Sequence, residues 1–277
     1  MGMDLQAYFD RIGYSGPSEP AFATLDAVMR AHVAAIPFES LDVQLGNRTS
    51  PDLSFVFDKL VTQRRGGWCY ENNGLLGWAL GEMGFDVRRV SAGVMRVVRG
   101  DAALGNHLTL IVTIDGGEWL VDAGFGGTQA APIPFAAGEY DHAPFVLTLA
   151  ETGDGFWRFA ERFGDGDPFS FDFTPGTADE ALFARQCATL QDDPESIFVQ
   201  NLVVQQRQGE RHLTLRGRVL MERGANDESK RLIADADDLV TVLRERFGLD
   251  VPGIAALWPK ICARHEALFA PESAALS

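Results

Sequence analysis

Cysteine is scarce in this chain, and the few that exist form no pattern. Of 277 residues only Cys69, Cys187 and Cys262 carry a thiol, an odd number with no CxxC pair. Neither a disulfide framework nor a four-cysteine zinc site follows from that, and no metal is expected. Long apolar runs are absent too, so no membrane span is expected. The first residues, MGMDLQAYFDRIGY, carry acids and lack the apolar core of a secretory signal. The cytosol is the expected compartment. Positive charge is in deficit: the formal net charge is −15, with no basic stripe to offset it. Nucleic acid and anionic lipid surfaces are poor partners for such a chain. Internal repeats and low-complexity linkers are missing as well.

What is present suffices for a folded protein with a real core. Apolar residues make up 46% of the chain, enough for a core of two or three small domains. Leu5, Tyr8, Phe9 and Ile12 keep helical spacing, and Gly13 with Gly16-Pro17 stops that helix. Phe22, Leu25, Val28, Met29 and His32 form a second stripe, ended by Pro37. A third helix is expected from Cys69 to about Met83, with Gly84 as its cap. The period then changes to two. Strands are expected over 87–98, 107–114, 118–122, 145–149, 156–159, 197–204 and 212–220, with a final helix between Asp235 or Asp237 and Gly248. Helices followed by antiparallel strands, then strand plus helix, argue an α+β fold.

The segment Arg65-Gly66-Gly67-Trp68-Cys69-Tyr70-Glu71-Asn72-Asn73 holds the best candidate for chemistry. Its glycines permit a tight approach, and the helix that follows puts the sulfur of Cys69 at an N-terminus, where unpaired N–H groups and the dipole favour an anion. Cys187 and Cys262 have no such setting and read as packed thiols.

A thiolate nucleophile needs a base, and the base an orienting group. His32 lies on an apolar helical stripe and reads as core, whereas His142, His212 and His265 sit in polar stretches and read as solvated. His107 begins an alternating strand in which Leu108, Leu110, Val112 and Ile114 share one face. His107, Thr109, Ile111 and Thr113 share the other, which is expected to meet a cleft or solvent. A turn through Asp115-Gly116-Gly117 leads into Glu118–Asp122. An even loop puts Asp122 opposite Thr109, on the face of His107 and within a Cβ reach of about 7 Å; an odd loop puts it on the other face. Gly124-Phe125-Gly126-Gly127 lacks the spacing and strand–helix context of a dinucleotide fingerprint and reads as a turn or as a loop able to offer N–H groups to phosphate.

Taken together these motifs resemble the arylamine N-acetyltransferase family. The nucleophile motif Arg65 to Asn73 matches, as do Tyr8-Phe9 with Arg11 to Tyr14, Ile36 to Glu39, Asn106-His107, Val121-Asp122 with Gly124 to Gly126, and, more faintly, Pro194 to Asn201. The resemblance implies three parts: a helical bundle over 1–86, a β-barrel over 87–200, and an interdomain segment with an α/β lid over 201–277. It implies a triad of Cys69, His107 and Asp122, acetyl-CoA as donor, and an arylamine or arylhydrazine as acceptor. Phe38, Phe125 and Phe198 match the acceptor pocket, and Gly124, Gly126 and Gly127 lie where coenzyme A approaches. Arg65 and Glu39 match a structural ion pair. Cys187 to Leu190 departs from the family's usual sequence before Pro194.

Two other chemistries use the same residues. One is a macrolactam-forming amide synthase of the same family, and the other is a transglutaminase-like cysteine hydrolase. A papain-like reading fits poorly, because only 38 residues separate Cys69 from His107, against roughly 130–150 in papain-type proteases.

Overall fold

A computed structural model describes residues 2–269. Its N-terminal part is helical. Leu5–Ile12 is capped by the Asp4 carboxylate and closed by Gly13 in the left-handed conformation. Phe22–Ala35 follows, and Ile36 turns extended before Pro37. The helix Cys69–Glu82 is almost wholly buried against both.

The centre is an eight-stranded antiparallel sheet: β2 (Asp86–Val94), β3 (His107–Ile114), β4 (Gly117–Val121), β5 (Ile133–Pro134), β6 (Gly138–His142), β7 (Phe145–Glu151), β8 (Trp157–Phe163) and β9 (Phe169–Phe173). The order is β5-β4-β3-β2-β9-β8-β7-β6. The sheet curls into a nearly closed barrel, and the Tyr140 hydroxyl on β6 donates to Ala136 O just past β5, at 2.8 Å. A second sheet holds β1 (Phe38–Glu39), β10 (Val203–Gln208), β11 (Arg211–Arg216), β12 (Val219–Arg223) and β13 (Glu228–Leu232), in that spatial order. The helix Ala236–Phe247 covers it, with Asp235 and Gly248 as its caps. Trp258–Phe269 is the last helix.

Strand β3 joins two cores. Leu108, Leu110, Val112 and Ile114 pack on the helices, while Ile111 faces the barrel interior with Phe159 and Phe171. Both faces are therefore buried, and the face carrying His107 meets the barrel core rather than solvent. The expected strand over 87–98 ends at Val94, because Met95 takes a left-handed conformation and Arg96–Arg99 turns helical. The expected strand over 197–204 is divided: Ile197–Gln200 is a helical turn started by the Ser196 hydroxyl, and β10 begins only at Val203. Helix Glu180–Asp192 packs Phe183, Cys187 and Leu190 onto the helical core, not the barrel.

Candidate active site

The loop before Cys69 is held from both sides. Gly67 pairs with β1, its N–H donating to Pro37 O and its carbonyl accepting from the Glu39 N–H, at 3.1 and 3.0 Å. Gly66 has to be glycine here, since a Cβ would lie 2.4 Å from Pro37 O. Asn72 Nδ2 donates to Gly67 O at 2.5 Å, and Glu71 accepts the Trp68 N–H at 3.1 Å. His32 Nε2 meets Asn72 Oδ1 at 3.1 Å and His32 Nδ1 meets the Tyr8 hydroxyl at 2.9 Å. His32 is thus a fully paired core residue, its pKa pushed down to about 4 by burial.

Beneath this loop lies a buried charge cluster. Arg65 Nη2 meets Glu39 Oε1 at 2.7 Å, the ion pair expected from the sequence. Lys59, Asp42 and Glu71 extend it: Lys59 Nζ lies 2.8 Å from Asp42 Oδ2 and 2.9 Å from Glu71 Oε1. Nothing in the local sequence around Lys59 marks it as buried; its partners Asp42 and Glu71 come from two other segments.

The β3–β4 turn resolves the register. Asp115 and Gly116 both have positive φ, as a two-residue type I′ hairpin requires. Gly117 already belongs to β4, and Leu110 pairs with Val121. The loop is even, so Asp122 continues the ladder opposite Thr109 and falls on the face of His107. His107 Nε2 and Asp122 Oδ2 are 2.6 Å apart, both buried. The other carboxylate oxygen accepts from Asn73 Nδ2 and from the Gly124 N–H, each at 2.8 Å. Asn73 Oδ1 in turn accepts the Ala123 N–H. Burial works against a charged imidazole, but the Asp122 charge and hydrogen bond, with a hydrogen bond to Cys69, raise the His107 pKa to about 10. The ring thus meets a carboxylate at Nε2 and shares the cavity wall with the Cys69 thiol, whose Sγ lies 3.8 Å from Asn106 O.

Cys69, His107, Phe38, Phe125, Phe198, Gly124 and Gly126 line one cavity of about 220 Å³. Gly124 brings the chain against Cys69, since a Cβ there would sit 2.6 Å from Cys69 Cα. Gly127 lies outside this cavity, packed on the Arg207 backbone. Leu190 from the divergent stretch also lines the cavity, with Phe169 and Glu161 from the barrel, none of them singled out by the sequence motifs. Cys187 is away from it, its thiol pushed up to about 12 by burial.

A second cavity of about 460 Å³ lies between the barrel and the five-stranded sheet, and shares Glu161 and Gln205 with the first. Arg216, Arg223, Lys230 and Arg264 line it, a local positive field in an acidic chain. Two histidines differ from the sequence expectation. His212 is buried, donating from Nε2 to Gly126 O at 2.7 Å, and burial pushes its pKa down to about 4. His142 is half-buried, and its Nδ1 accepts the Ala130 N–H. Their polar sequence neighbours gave no hint that β11 packs on the glycine loop. His265 is half-buried in the basic cavity. Among the described residues no group of His, Cys, Asp or Glu is placed to hold a metal, and no helix is long and apolar enough to cross a membrane.

Helical, barrel and lid layers surround a buried thiol, imidazole and carboxylate, and a family model described as N-acetyltransferase matches residues 21–256. The arylamine N-acetyltransferase of Mycobacterium tuberculosis is 38% identical over 264 residues, 92% of each chain. A pineal gland arylamine N-acetyltransferase isozyme of Gallus gallus is 30% identical, covering 89% of this chain and 94% of its own. The solved structure of Mycobacterium marinum arylamine N-acetyltransferase in complex with CoA superposes with a TM-score of 0.84 at 32% identity, over 94% of this chain and 98% of that one. The chain belongs to the arylamine N-acetyltransferase family and is an acyltransferase.

Proposed function

We propose that this enzyme transfers the acetyl group of acetyl-CoA to arylamines and arylhydrazines by a ping-pong route through acetyl-Cys69. The observation that carries this reading is the contiguous Cys69–His107–Asp122 arrangement, with a 2.6 Å imidazole–carboxylate contact, at the wall of an aromatic cavity. Cys69, as thiolate beside the His107 imidazolium, attacks the thioester carbonyl. The C–S bond to coenzyme A breaks, and the leaving thiolate takes the imidazolium proton. An arylamine then attacks acetyl-Cys69. His107 accepts the amine proton, the thioester opens, and Cys69 leaves again as thiolate. Asp122 orients the ring throughout. Glu71 and Asn72 already donate their N–H groups to Trp68 O, which leaves those of Cys69 and Tyr70 at the start of the helix to receive the developing oxyanion.

Three further features support the choice of substrates. Phe38, Phe125 and Phe198 form walls suited to a flat ring. Arg216, Arg223, Lys230 and Arg264 suit the phosphates of coenzyme A, and their cavity adjoins that of Cys69. The Mycobacterium marinum relative was solved with CoA.

Intact mass after incubation with acetyl-CoA alone tests the route. The expected result is a single acetyl adduct, absent in Cys69→Ala and discharged by an arylamine. An unmodified wild-type mass, or an adduct that survives Cys69→Ala, overturns the proposal.

A further inference from the structure

The cavity beside Cys69 contains one half-buried ionisable group that the reaction above does not use. Besides Cys69 and His107, its ionisable lining residues are Arg99 and Glu161. Arg99 is exposed. Glu161 sits on β8, across from Leu147 on β7 and Phe169 on β9. Its Oε2 is buried with no hydrogen-bond partner. Phe169 stacks on Phe125 with ring centroids 5.1 Å apart and planes at 12°, so the carboxyl accompanies the aromatic wall of the cavity. Burial, with the Asp122 charge adding to it, raises the Glu161 pKa to about 8, offset only in part by the Thr128 hydroxyl and the Arg223 charge.

A buried carboxyl oxygen left without a donor is costly and is rarely retained without a partner. On β7 and β9 the neighbours at its own level, Leu147 and Phe169, are apolar, so a partner for Oε2 comes from one of the two cavities that Glu161 lines, and the one beside Cys69 is the cavity assigned to the acceptor ring. Resting on the acetyl-transfer reading, we infer that Glu161 is a specificity-determining residue for the acceptor. Its inward oxygen takes a hydrogen bond from a second N–H or O–H group on the aromatic ring. Aminophenols and phenylenediamines are thereby favoured over anilines whose other substituents are apolar. Sites built around a buried polar group reject analogues that leave it unpaired far more strongly than apolar pockets reject an extra group.

The test uses the full chain with acetyl-CoA held fixed. kcat/KM is measured for 4-aminophenol and for 4-methylaniline, which match in size, and the ratio of the two is compared across wild type, Glu161→Gln and Glu161→Leu. Comparing ratios cancels the intrinsic nucleophilicities of the amines. The expected result is that Glu161→Leu lowers the ratio about 10- to 100-fold. Glu161→Gln, which still offers an acceptor oxygen, keeps most of it. Acetyl-Cys69 formation shows that each variant is folded and loaded, and Glu161→Met replaces the leucine variant if that one does not fold. An unchanged ratio in a loaded apolar variant overturns the inference while leaving acetyl transfer intact. Failure of wild type to form acetyl-Cys69 instead removes the acetyl-transfer reading on which the inference stands.

Discussion

Asn73 holds Asp122: its Nδ2 donates to Asp122 Oδ1 at 2.8 Å while its Oδ1 accepts the Ala123 N–H. Asn73 is one helical turn after Cys69 on the same helix, so the element that presents the thiol also fixes the carboxylate behind the imidazole. Replacing Asn73 by alanine leaves that oxygen with the Gly124 N–H alone. A hydrogen bond to a buried charge contributes about 1.5–3 kcal/mol. The expected fall in kcat for acetyl transfer is roughly 10- to 100-fold, read by steady-state kinetics, with the fold retained by circular dichroism.

His107 makes stability fall as pH rises. Its pKa is raised from an ordinary value of about 6.5 to about 10 in the folded chain. Below the unfolded value both states hold the proton and the stabilisation from the Asp122 contact is complete. It is lost progressively as pH climbs through the folded value. Thermal melts at pH 6.5 and 9.5 are expected to show a lower Tm at the higher pH, and His107→Gln should flatten that difference. A slope unchanged by the substitution counts against the ion pair.

Gly124 and Gly116 respond differently to alanine. At Gly124 the new methyl lies 2.6 Å from Cys69 Cα and 2.7 Å from Asn73 Nδ2, so the Gly124 loop and the start of the Cys69–Glu82 helix have to separate. Misplacement of about 1 Å can cost about 100-fold in rate, and a loss of at least that order is expected. Gly116→Ala meets open space, and its left-handed φ of 78° costs about 1 kcal/mol. Turnover of the two variants, with urea melts alongside, separates the effects.

Lys59→Met removes the cation between Asp42 and Glu71. Buried carboxylates left uncompensated destabilise by roughly 3–5 kcal/mol. The midpoint of urea unfolding is expected to drop accordingly. The larger effect should come from Lys59 rather than from Arg48, whose pair with Asp192 is solvated.

Local chemistry in the sequence carried the helix start at Cys69, the glycine turns and the alternation of β3, because each depends on residues within a few positions. The family motifs pointed to Cys69, His107 and Asp122, of which the structure pairs His107 with Asp122, and to the Arg65–Glu39 ion pair. The Asp115-Gly116 turn left the register open until its length was known, and two residues in the left-handed region made it even. Ile197–Gln200 and His212 depart from the sequence expectation for a different reason. A β-branched run and a polar neighbourhood describe propensity, whereas the Ser196 cap and the packing of β11 on Gly126 depend on contacts distant in the chain. Glu161 had a detectable cue: it keeps the alternation of Phe159 on a strand whose inward positions are otherwise apolar.

The two-residue strand Phe38–Glu39 pairs with β10, some 160 positions later, as well as with Gly67. During synthesis Cys69 therefore leaves the ribosome long before the edge that braces its loop exists. A nascent chain halted before Val203 lacks the strand that pairs with Phe38–Glu39, so the sheet edge beside Gly67 is completed only after about three quarters of the polypeptide has been made.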